Sequence, residues 1–178
     1  MVKRIEIRIS GLGGQGVLLA GQIYGKAAAF DRKHVVQTQS YGAEARGSAA
    51  RSEVIISNAR IGFPTVRKCD ILVAMGGEAM NRNLKDLKGG GVLIIDSSKI
   101  KKVPPVNVKI LKIPATETAI HLFKDKIYAN IIMLGALANV AGEVEIEVVE
   151  EAIKDSVPKE TLKTNIQAFK EGLKLSGF

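Results

Sequence analysis

Residues 39–47, Gln-Ser-Tyr-Gly-Ala-Glu-Ala-Arg-Gly, place an aromatic ring, a carboxylate and a guanidinium in one short segment between two predicted strands. A loop that only connects two strands needs neither an aromatic residue nor a fixed acid and base. Functional side chains concentrate on loops that a rigid scaffold holds in place. We therefore predict that Ser40 and Tyr41 contact a ligand, and that the residues of a subunit interface are Tyr41, Gly42, Glu44, Arg46 and Gly47.

A glycine-rich turn precedes this loop. Residues 5–10 alternate apolar and polar, and Gly-Leu-Gly-Gly-Gln-Gly follows before a helical apolar run that begins at Val17. A strand, a glycine turn and a helix in this order can bind phosphate, because the helix start offers unpaired N–H groups and a partial positive charge. The predicted anion contacts are Gly11, Gly13, Gly14, Gln15 and Gly16.

Each glycine of the turn has a predicted role. Gly11 makes the turn off the strand, Gly13 lets a ligand or a neighbouring backbone come close, and Gly16 lets the helix pack against the strand. The alternative that the glycines serve only close packing or a subunit contact is equally open. Binding of NAD is not expected, because the second predicted strand, residues 34–39, ends without the acid that would bind a ribose hydroxyl.

Composition and charge restrict the class of protein. The chain has 178 residues, 46% of them hydrophobic, which predicts a single domain over residues 1–178. The net charge of +8 is dispersed along the sequence and has no RNA-binding aromatic motif beside it, so an anionic ligand or an acidic partner subunit explains it better than nucleic acid does. No signal peptide is recognisable, and the longest apolar stretch, residues 131–141, is too short to span a bilayer, so we expect a cytoplasmic protein with no membrane contact.

Catalytic and metal chemistry is not expected of this chain. Its histidines, His34 and His121, are not placed to activate a serine, and its acids are not clustered as metal ligands are. Cys69 is the single cysteine, so no disulfide within the chain and no cysteine-ligated iron–sulfur cluster can be built from it alone.

Strands that alternate with helices predict an α/β fold, a doubly wound and mostly parallel sheet with helices on both faces, Rossmann-like. The carboxyl ends of its parallel strands should then bring four stretches to one edge of the sheet: residues 11–16, 38–46, 76–78 and 96–98. The helix predicted over residues 127–141 is apolar all round, which is typical of a helix that is buried or covered by another subunit, and we favour the subunit interface.

The motifs taken together resemble a known family. The chain is similar over essentially its whole length to the gamma subunit of 2-oxoacid:ferredoxin oxidoreductases. The segments that carry the resemblance are the Gly-x-Gly-Gly-Gln-Gly turn, Ser40-Tyr41-Gly42 with Glu44, Arg46 and Gly47, Asp70 before an apolar strand, Asn130 with Met133-Leu134-Gly135, and Asn165-Ile166-Gln167-Ala168. Ser-Tyr-Gly with an Arg-Gly pair resembles the 2-oxoglutarate type more than the pyruvate type, although Ala43 and Ser48 stand where the family frequently has Pro and Gly.

The resemblance implies a subunit of an enzyme that decarboxylates a 2-oxoacid, transfers the acyl group to coenzyme A and reduces ferredoxin. In that family the alpha and beta subunits hold thiamine diphosphate with Mg, and the beta and delta subunits hold the iron–sulfur clusters. The gamma subunit packs against its partners and has been linked to coenzyme A, so the glycine turn with Ser40 and Tyr41 would contact that cofactor. The isolated chain has no expected activity and can homodimerise through its exposed interface. The alternative is a stand-alone module that binds a nucleotide or coenzyme A.

Overall fold

Six strands form one sheet in a computed structural model that describes residues 3–42 and 48–177. The strands are β1 (Arg4–Leu12), β2 (His34–Tyr41), β3 (Ala49–Ser57), β4 (Cys69–Ala74), β5 (Leu87–Asp96) and β6 (Lys109–Ile113). The helices are α1 (Val17–Phe30), α2 (Gly77–Asn83), α3 (Ala115–Phe123), α4 (Ala129–Ala141), α5 (Ile146–Lys154) and α6 (Lys159–Leu175), with 3-10 turns at Leu84–Asp86 and Lys126–Tyr128.

The order of the strands across the sheet is β2-β3-β1-β4-β5-β6. Only β3 runs against the others, since it pairs antiparallel with both β1 and β2, whereas β1, β4, β5 and β6 pair in parallel. The predicted α/β fold with a mostly parallel sheet is therefore confirmed. The local pattern of the sequence did not predict that β2 and β3 form a hairpin, or that β3 separates β2 from β1.

Alternate residues of the central strands point to opposite faces of the sheet and feed two hydrophobic clusters. The larger cluster contains Ile71 and Val73 of β4 and is covered by α1, α3, α4, α5 and α6. The smaller cluster contains Leu72 and Ala74 of β4 and is covered by α2 through Met80. Helices thus lie on both faces, but most of the buried apolar surface is on one of them.

Helix α4 lies inside the larger cluster, so the prediction that a subunit interface covers it is wrong. Its residues from Ala129 to Ala138 are all buried by the chain itself. Helix α6 covers it at very short range, because a Cβ added to Gly135 would lie 2.2 Å from the Phe169 carbonyl oxygen, and one added to Gly172 would lie 1.9 Å from that of Ile132. The two glycines let the backbones approach, and α6 takes the place that we had assigned to a partner.

Candidate functional site

The carboxyl ends of the parallel strands meet at one edge of the sheet, which we call the rim. The turn after β1, the end of β2, the start of α2 and Asp96 all lie there, as predicted for the described parts of those stretches. They do not form one site, however. Two clefts open at the rim, one on the α2 face of the sheet and one on the face covered by α3 and α4.

The first cleft, the hairpin cleft, has a volume of about 390 Å³ and lies between α2 and the stem of the β2–β3 hairpin. The predicted site residues that line it are Gly11, Ser40, Tyr41 and Gly42. Charged side chains complete its wall: Arg51, Arg82, Lys85, Glu78 and Asp86. Positive charge is in slight excess, so this cleft suits an anionic group.

The end of β2 presents an aromatic ring to this cleft. The Tyr41 residue is 64% exposed, so its ring is free to stack on a ligand or to pack on a partner. Gly42 closes the hairpin stem, because its N–H donates to the Ala49 carbonyl oxygen at 2.7 Å. Glu44, Arg46 and Gly47, which we predicted at the interface, lie outside the described residues.

A buried charge cluster forms the floor behind the hairpin cleft. Arg8 of β1 is only 2% exposed, and its guanidinium donates to Glu53 at 2.8 Å and to Asp86 at 2.6 Å. It also donates to the Val66 carbonyl oxygen at 3.0 Å. Burial alone would lower the pKa of Arg8, but the hydrogen bond that it donates to Asp86 and the charge of Glu53 outweigh this effect, so the pKa is raised. The cluster therefore holds α2 and its 3-10 turn on the sheet as a fixed wall.

Sequence reasoning missed this cluster. Arg8 occupies a polar position of an alternating strand, and nothing in the local sequence marks it as buried. The signal that could have found it is the pairing of two strands, because Arg8 lies directly opposite Glu53 in the register of β1 and β3. That pairing becomes visible only when β3 is placed beside β1.

The glycine turn differs from its predicted form at Gly11. This residue lies inside β1, paired with Ala50, and the turn itself runs from Leu12 to Gln15, whose N–H donates to the Leu12 carbonyl oxygen at 3.1 Å. The left-handed backbone that a turn requires is at Gly14, with a φ of 87°. Gly11 is small for another reason, because a Cβ there would lie 2.5 Å from the Gln15 side-chain oxygen.

The neighbouring backbone that Gly13 approaches is that of the hairpin. Its N–H donates to the Ser48 carbonyl oxygen at 2.8 Å. The Gln15 side chain braces the turn, because its Oε1 accepts from the Leu12 N–H at 2.7 Å and its Nε2 donates to the Met75 carbonyl oxygen at 3.2 Å. Both polar atoms of Gln15 are therefore engaged within the fold.

Gly16 packs against a helix and not against the strand, which corrects its predicted role. It caps α1 with a φ of 70°, and a Cβ there would lie 2.1 Å from Nδ2 of Asn130, the second residue of α4. Asn130 is buried, and its Nδ2 donates to the Gly16 carbonyl oxygen at 3.2 Å. The start of α4 therefore fixes the start of α1.

The second cleft, the turn cleft, has a volume of about 410 Å³ and lies beside Gly13, Gly14 and Gln15. Its other wall consists of Met75, Lys99, Thr116, Asp125, Lys126, Ile127 and Ala129. Helices α3 and α4 both begin at this wall, but Asp96 caps the start of α3, so the start of α4 and the two lysines supply the positive charge, against the single carboxylate of Asp125. The turn cleft can therefore also hold an anion.

Asp96, at the rim end of β5, is used inside the fold. It is fully buried and accepts hydrogen bonds from the backbone N–H of Ser98 at 3.0 Å and of Thr116 at 3.3 Å. It thereby orders the turn after β5 and caps the first turn of α3. Its carboxylate is not available to a ligand in either cleft.

The single cysteine lines neither cleft. Burial raises the pKa of the Cys69 thiol to about 11, with the Arg8 charge only partly opposing it, so the thiol is protonated and enclosed. Within residues 3–42 and 48–177, no three His, Cys, Asp or Glu side chains are grouped so that they could hold a metal ion. In the same ranges, no helix is both long and apolar enough to cross a bilayer.

Comparison with known proteins agrees with this geometry. The family described as pyruvate ferredoxin/flavodoxin oxidoreductase matches residues 6–175. The chain is 49% identical over 176 residues to 2-oxoglutarate synthase subunit KorC of Methanocaldococcus jannaschii, with 97% of this chain and 94% of that protein covered.

Solved structures have the same fold. The gamma subunit of the keto/oxoacid ferredoxin oxidoreductase of Geobacter sulfurreducens superposes with a TM-score of 0.87 at 42% identity, over 97% of this chain and 98% of that one. The 2-oxoglutarate:ferredoxin oxidoreductase of Magnetococcus marinus, solved with 2-oxoglutarate, coenzyme A and succinyl-CoA bound, gives a TM-score of 0.89 at 27% identity. There the match covers 98% of this chain but 31% of the longer one. From the glycine turn to the last helix, the chain belongs to the pyruvate ferredoxin/flavodoxin oxidoreductase family.

Proposed function

We propose that this chain is the gamma subunit of a multi-subunit 2-oxoglutarate:ferredoxin oxidoreductase. The observation that carries the proposal is the end-to-end identity of 49% with a 2-oxoglutarate synthase subunit of nearly the same length. The complex would convert 2-oxoglutarate and coenzyme A to succinyl-CoA and carbon dioxide and pass two electrons to ferredoxin. This chain would act in the cytoplasm as one domain that completes the complex and has no activity of its own.

The donor atoms of the chain support this division of labour. Iron–sulfur clusters are held by several cysteine thiolates, whereas Cys69 is the single cysteine and is enclosed in the smaller hydrophobic cluster. The clusters, thiamine diphosphate and its Mg would therefore belong to the alpha, beta and delta subunits. Coenzyme A is different, because its phosphates need cations and N–H groups, and both clefts at the rim offer them.

We assign the contact with coenzyme A to the rim. The hairpin cleft supplies the exposed Tyr41 ring for a base and the cations Arg51, Arg82 and Lys85 for phosphates. The turn cleft supplies the glycine turn at Gly13 and Gly14. The predicted ligand residues are thus divided between two clefts, and mutations can separate the two.

Assembly tests the subunit role. The tagged chain is co-expressed with alpha, beta and delta chains, and the purified material is assayed for 2-oxoglutarate- and coenzyme-A-dependent reduction of a viologen dye. We expect stoichiometric recovery of all four chains and activity that disappears when this chain is omitted. An active complex that assembles without this chain would refute the proposal.

The structure offers a clean variant for the contact with coenzyme A. A Cβ at Gly13 would lie 3.7 Å from the nearest atoms of Ser48, an ordinary contact, so side chains are tolerated there. Gly13→Asp would add a negative charge to the turn cleft and should raise the KM for coenzyme A, whereas the matched Gly13→Ala should not. Equal KM values for both variants would exclude the turn cleft.

Arg46→Ala tests the hairpin loop, although Arg46 lies outside the described residues. We expect weaker assembly or a higher KM for coenzyme A, because a cation in this loop suits an acidic surface or a phosphate. Unchanged assembly and kinetics would make Arg46 an ordinary surface charge.

The second candidate function is a stand-alone module that binds a nucleotide or coenzyme A, which the glycine turn and the net charge of +8 favour. Calorimetry with the isolated chain distinguishes the two functions. Tight binding of coenzyme A that Gly13→Asp abolishes, in a chain that recovers no partner subunit, would establish the module.

A further inference from the structure

The net positive charge is less evenly dispersed than we predicted, because most of it lies between residues 97 and 127. This segment contains seven lysines and two carboxylates, Glu117 and Asp125, so it holds five of the eight net positive charges of the chain. All seven lysines are exposed: Lys99, Lys101, Lys102, Lys109, Lys112, Lys124 and Lys126. Within the described residues none of them forms an ion pair, whereas six other lysines do.

Exposed apolar side chains are concentrated in the same segment. Of the seven large hydrophobic side chains that are exposed in the described residues, four belong to it: Ile110, Ile120, Leu122 and Ile127. Ile120 is 51% exposed and Ile127 is 56% exposed. Clustered apolar exposure of this kind marks an interaction surface, since isolated apolar side chains are more usual on a free surface.

The surface is concave at its centre. A groove of about 610 Å³ runs along α3, lined by Ser98, Lys99, Thr116, Glu117, Ile120, His121 and Lys124. Lys99 and Thr116 also line the turn cleft, so the groove continues into it towards Lys126 and Ile127. We call this continuous depression the α3 groove. It contains the exposed side chains of Ile120 and Ile127, and within the described residues its lysines form no ion pair.

We propose that the α3 groove docks an acidic segment with apolar anchor residues from a partner subunit of the oxidoreductase. The proposal rests on the proposed function and adds a second contact surface to the hairpin loop. Carboxylates of the partner would pair with Lys99, Lys124 and Lys126, and its apolar side chains would cover Ile120 and Ile127.

Three other occupants fit less well. A second copy of this chain would bring the same lysines face to face, which repulsion disfavours. A membrane surface is flat, whereas the α3 groove is a depression. Nucleic-acid sites usually add arginines and stacking aromatic rings to the lysines that contact phosphates, whereas residues 97–127 contain no arginine. Phe123 packs against the neighbouring Tyr128, with ring centroids 5.7 Å apart.

Charge reversal in the assembled complex tests this inference. The groove variant carries Lys99→Glu and Lys126→Glu. The control variant carries Lys154→Glu and Lys163→Glu, at exposed lysines of α5 and α6 that also form no ion pair in the described residues. The four-chain complex is titrated by salt, and carbodiimide cross-links from these lysines to partner carboxylates are mapped. We expect the groove variant to weaken retention of the partner subunits by roughly tenfold or more, and the control pair to leave it unchanged.

The outcomes separate the inference from the proposed function. If the wild-type chain assembles and the groove variant assembles equally well without cross-links at Lys99 or Lys126, the α3 groove is not the docking surface, while the subunit role stands. If the wild-type chain recovers no partner, both fall. If the groove variant assembles normally but loses binding to phosphatidylglycerol vesicles or to RNA, the surface has a different occupant and the inference is overturned.

Discussion

The contact between Gly16 and Asn130 holds the start of α1 against the start of α4, and Gly16→Ala tests how much of the stability depends on it. A Cβ at Gly16 would lie 2.1 Å from Nδ2 of Asn130 and 2.7 Å from its Cγ, well inside van der Waals contact. Asn130 is 2% exposed at the start of α4, so it has little room to move away. The substitution must therefore push α4 away from α1 or force Asn130 into another rotamer.

Two costs combine in this variant. The left-handed backbone of Gly16, with its φ of 70°, costs an alanine roughly 1–2 kcal/mol. Overpacking against a buried side chain costs about 1–3 kcal/mol more. We expect Gly16→Ala to lower the free energy of unfolding by about 2–5 kcal/mol, which corresponds to a decrease in Tm of roughly 4–20 °C for a chain of this size.

A double-mutant cycle isolates the packing term. In an Asn130→Ala background the clash is absent, so Gly16→Ala should cost only the backbone strain, about 1–2 kcal/mol. Thermal and urea unfolding of the four proteins provide the measurement. If Gly16→Ala costs the same free energy with and without the Asn130 side chain, the packing argument is wrong and the glycine serves the backbone conformation alone.

Three further predictions concern parts of the fold that support the rim. Gly172→Ala should lower stability by up to about 2 kcal/mol in urea unfolding, because its Cβ would lie 1.9 Å from the Ile132 carbonyl oxygen. The overpacking cost of about 1–3 kcal/mol exceeds the helix-propensity gain of about 1 kcal/mol. Arg8→Met should cost about 3–5 kcal/mol in the same assay, since it removes the closer and buried cation of Glu53 and leaves only Arg51, at 3.5 Å. Stability should fall by about 2–3 kcal/mol between pH 9 and 11, because the Cys69 thiol has a pKa near 9.0 in the unfolded chain and about 11 in the folded one, so only the unfolded chain loses the proton in this range. Cys69→Ala should reduce this decline.

Matched controls make these results interpretable. Gly77→Ala also adds a methyl group to a helical glycine, but nothing lies within 4 Å of it, so its stability should not fall. Arg4→Met removes an ion pair whose arginine is partly exposed, with Glu6 at 2.6 Å, and should cost at most about 1 kcal/mol. Should Arg8→Met prove as mild as Arg4→Met, the buried cluster would not be holding α2. A pH dependence of Cys69→Ala equal to that of the native chain would assign the decline to other groups.

Much of the fold could be predicted because the local patterns are strong. Residues 5–10 alternate apolar and polar as a strand does, and the buried strand from Asp70 is continuously apolar, so both elements and their shared rim were foreseeable. The position of β3 was not, because its sequence is equally compatible with a parallel and an antiparallel neighbour. The order of strands depends on pairings across the chain that a local pattern does not contain.

The candidate site was predicted as a set of segments but not as a geometry. The glycine turn and Ser40-Tyr41-Gly42 do reach the same rim, yet they open into clefts on opposite faces of the sheet. The apolar helix α4 illustrates the same limit. Its composition shows that it must be covered, but a sequence does not say whether the cover is α6 or another subunit.

Different interactions hold the two clefts in shape, so different classes of mutation should alter each of them. The turn cleft depends on close packing, since Asn130 fixes the start of α1 and Gly135 fixes α4 against α6. The hairpin cleft depends on a buried ionic cluster, in which Arg8 ties α2 and its 3-10 turn to the sheet. Changes of side-chain volume in α4 or α6 should therefore disturb the turn cleft and spare the hairpin cleft, whereas removal of buried charge should do the reverse. If coenzyme A binds at only one of them, the class of mutation that raises its KM identifies which one.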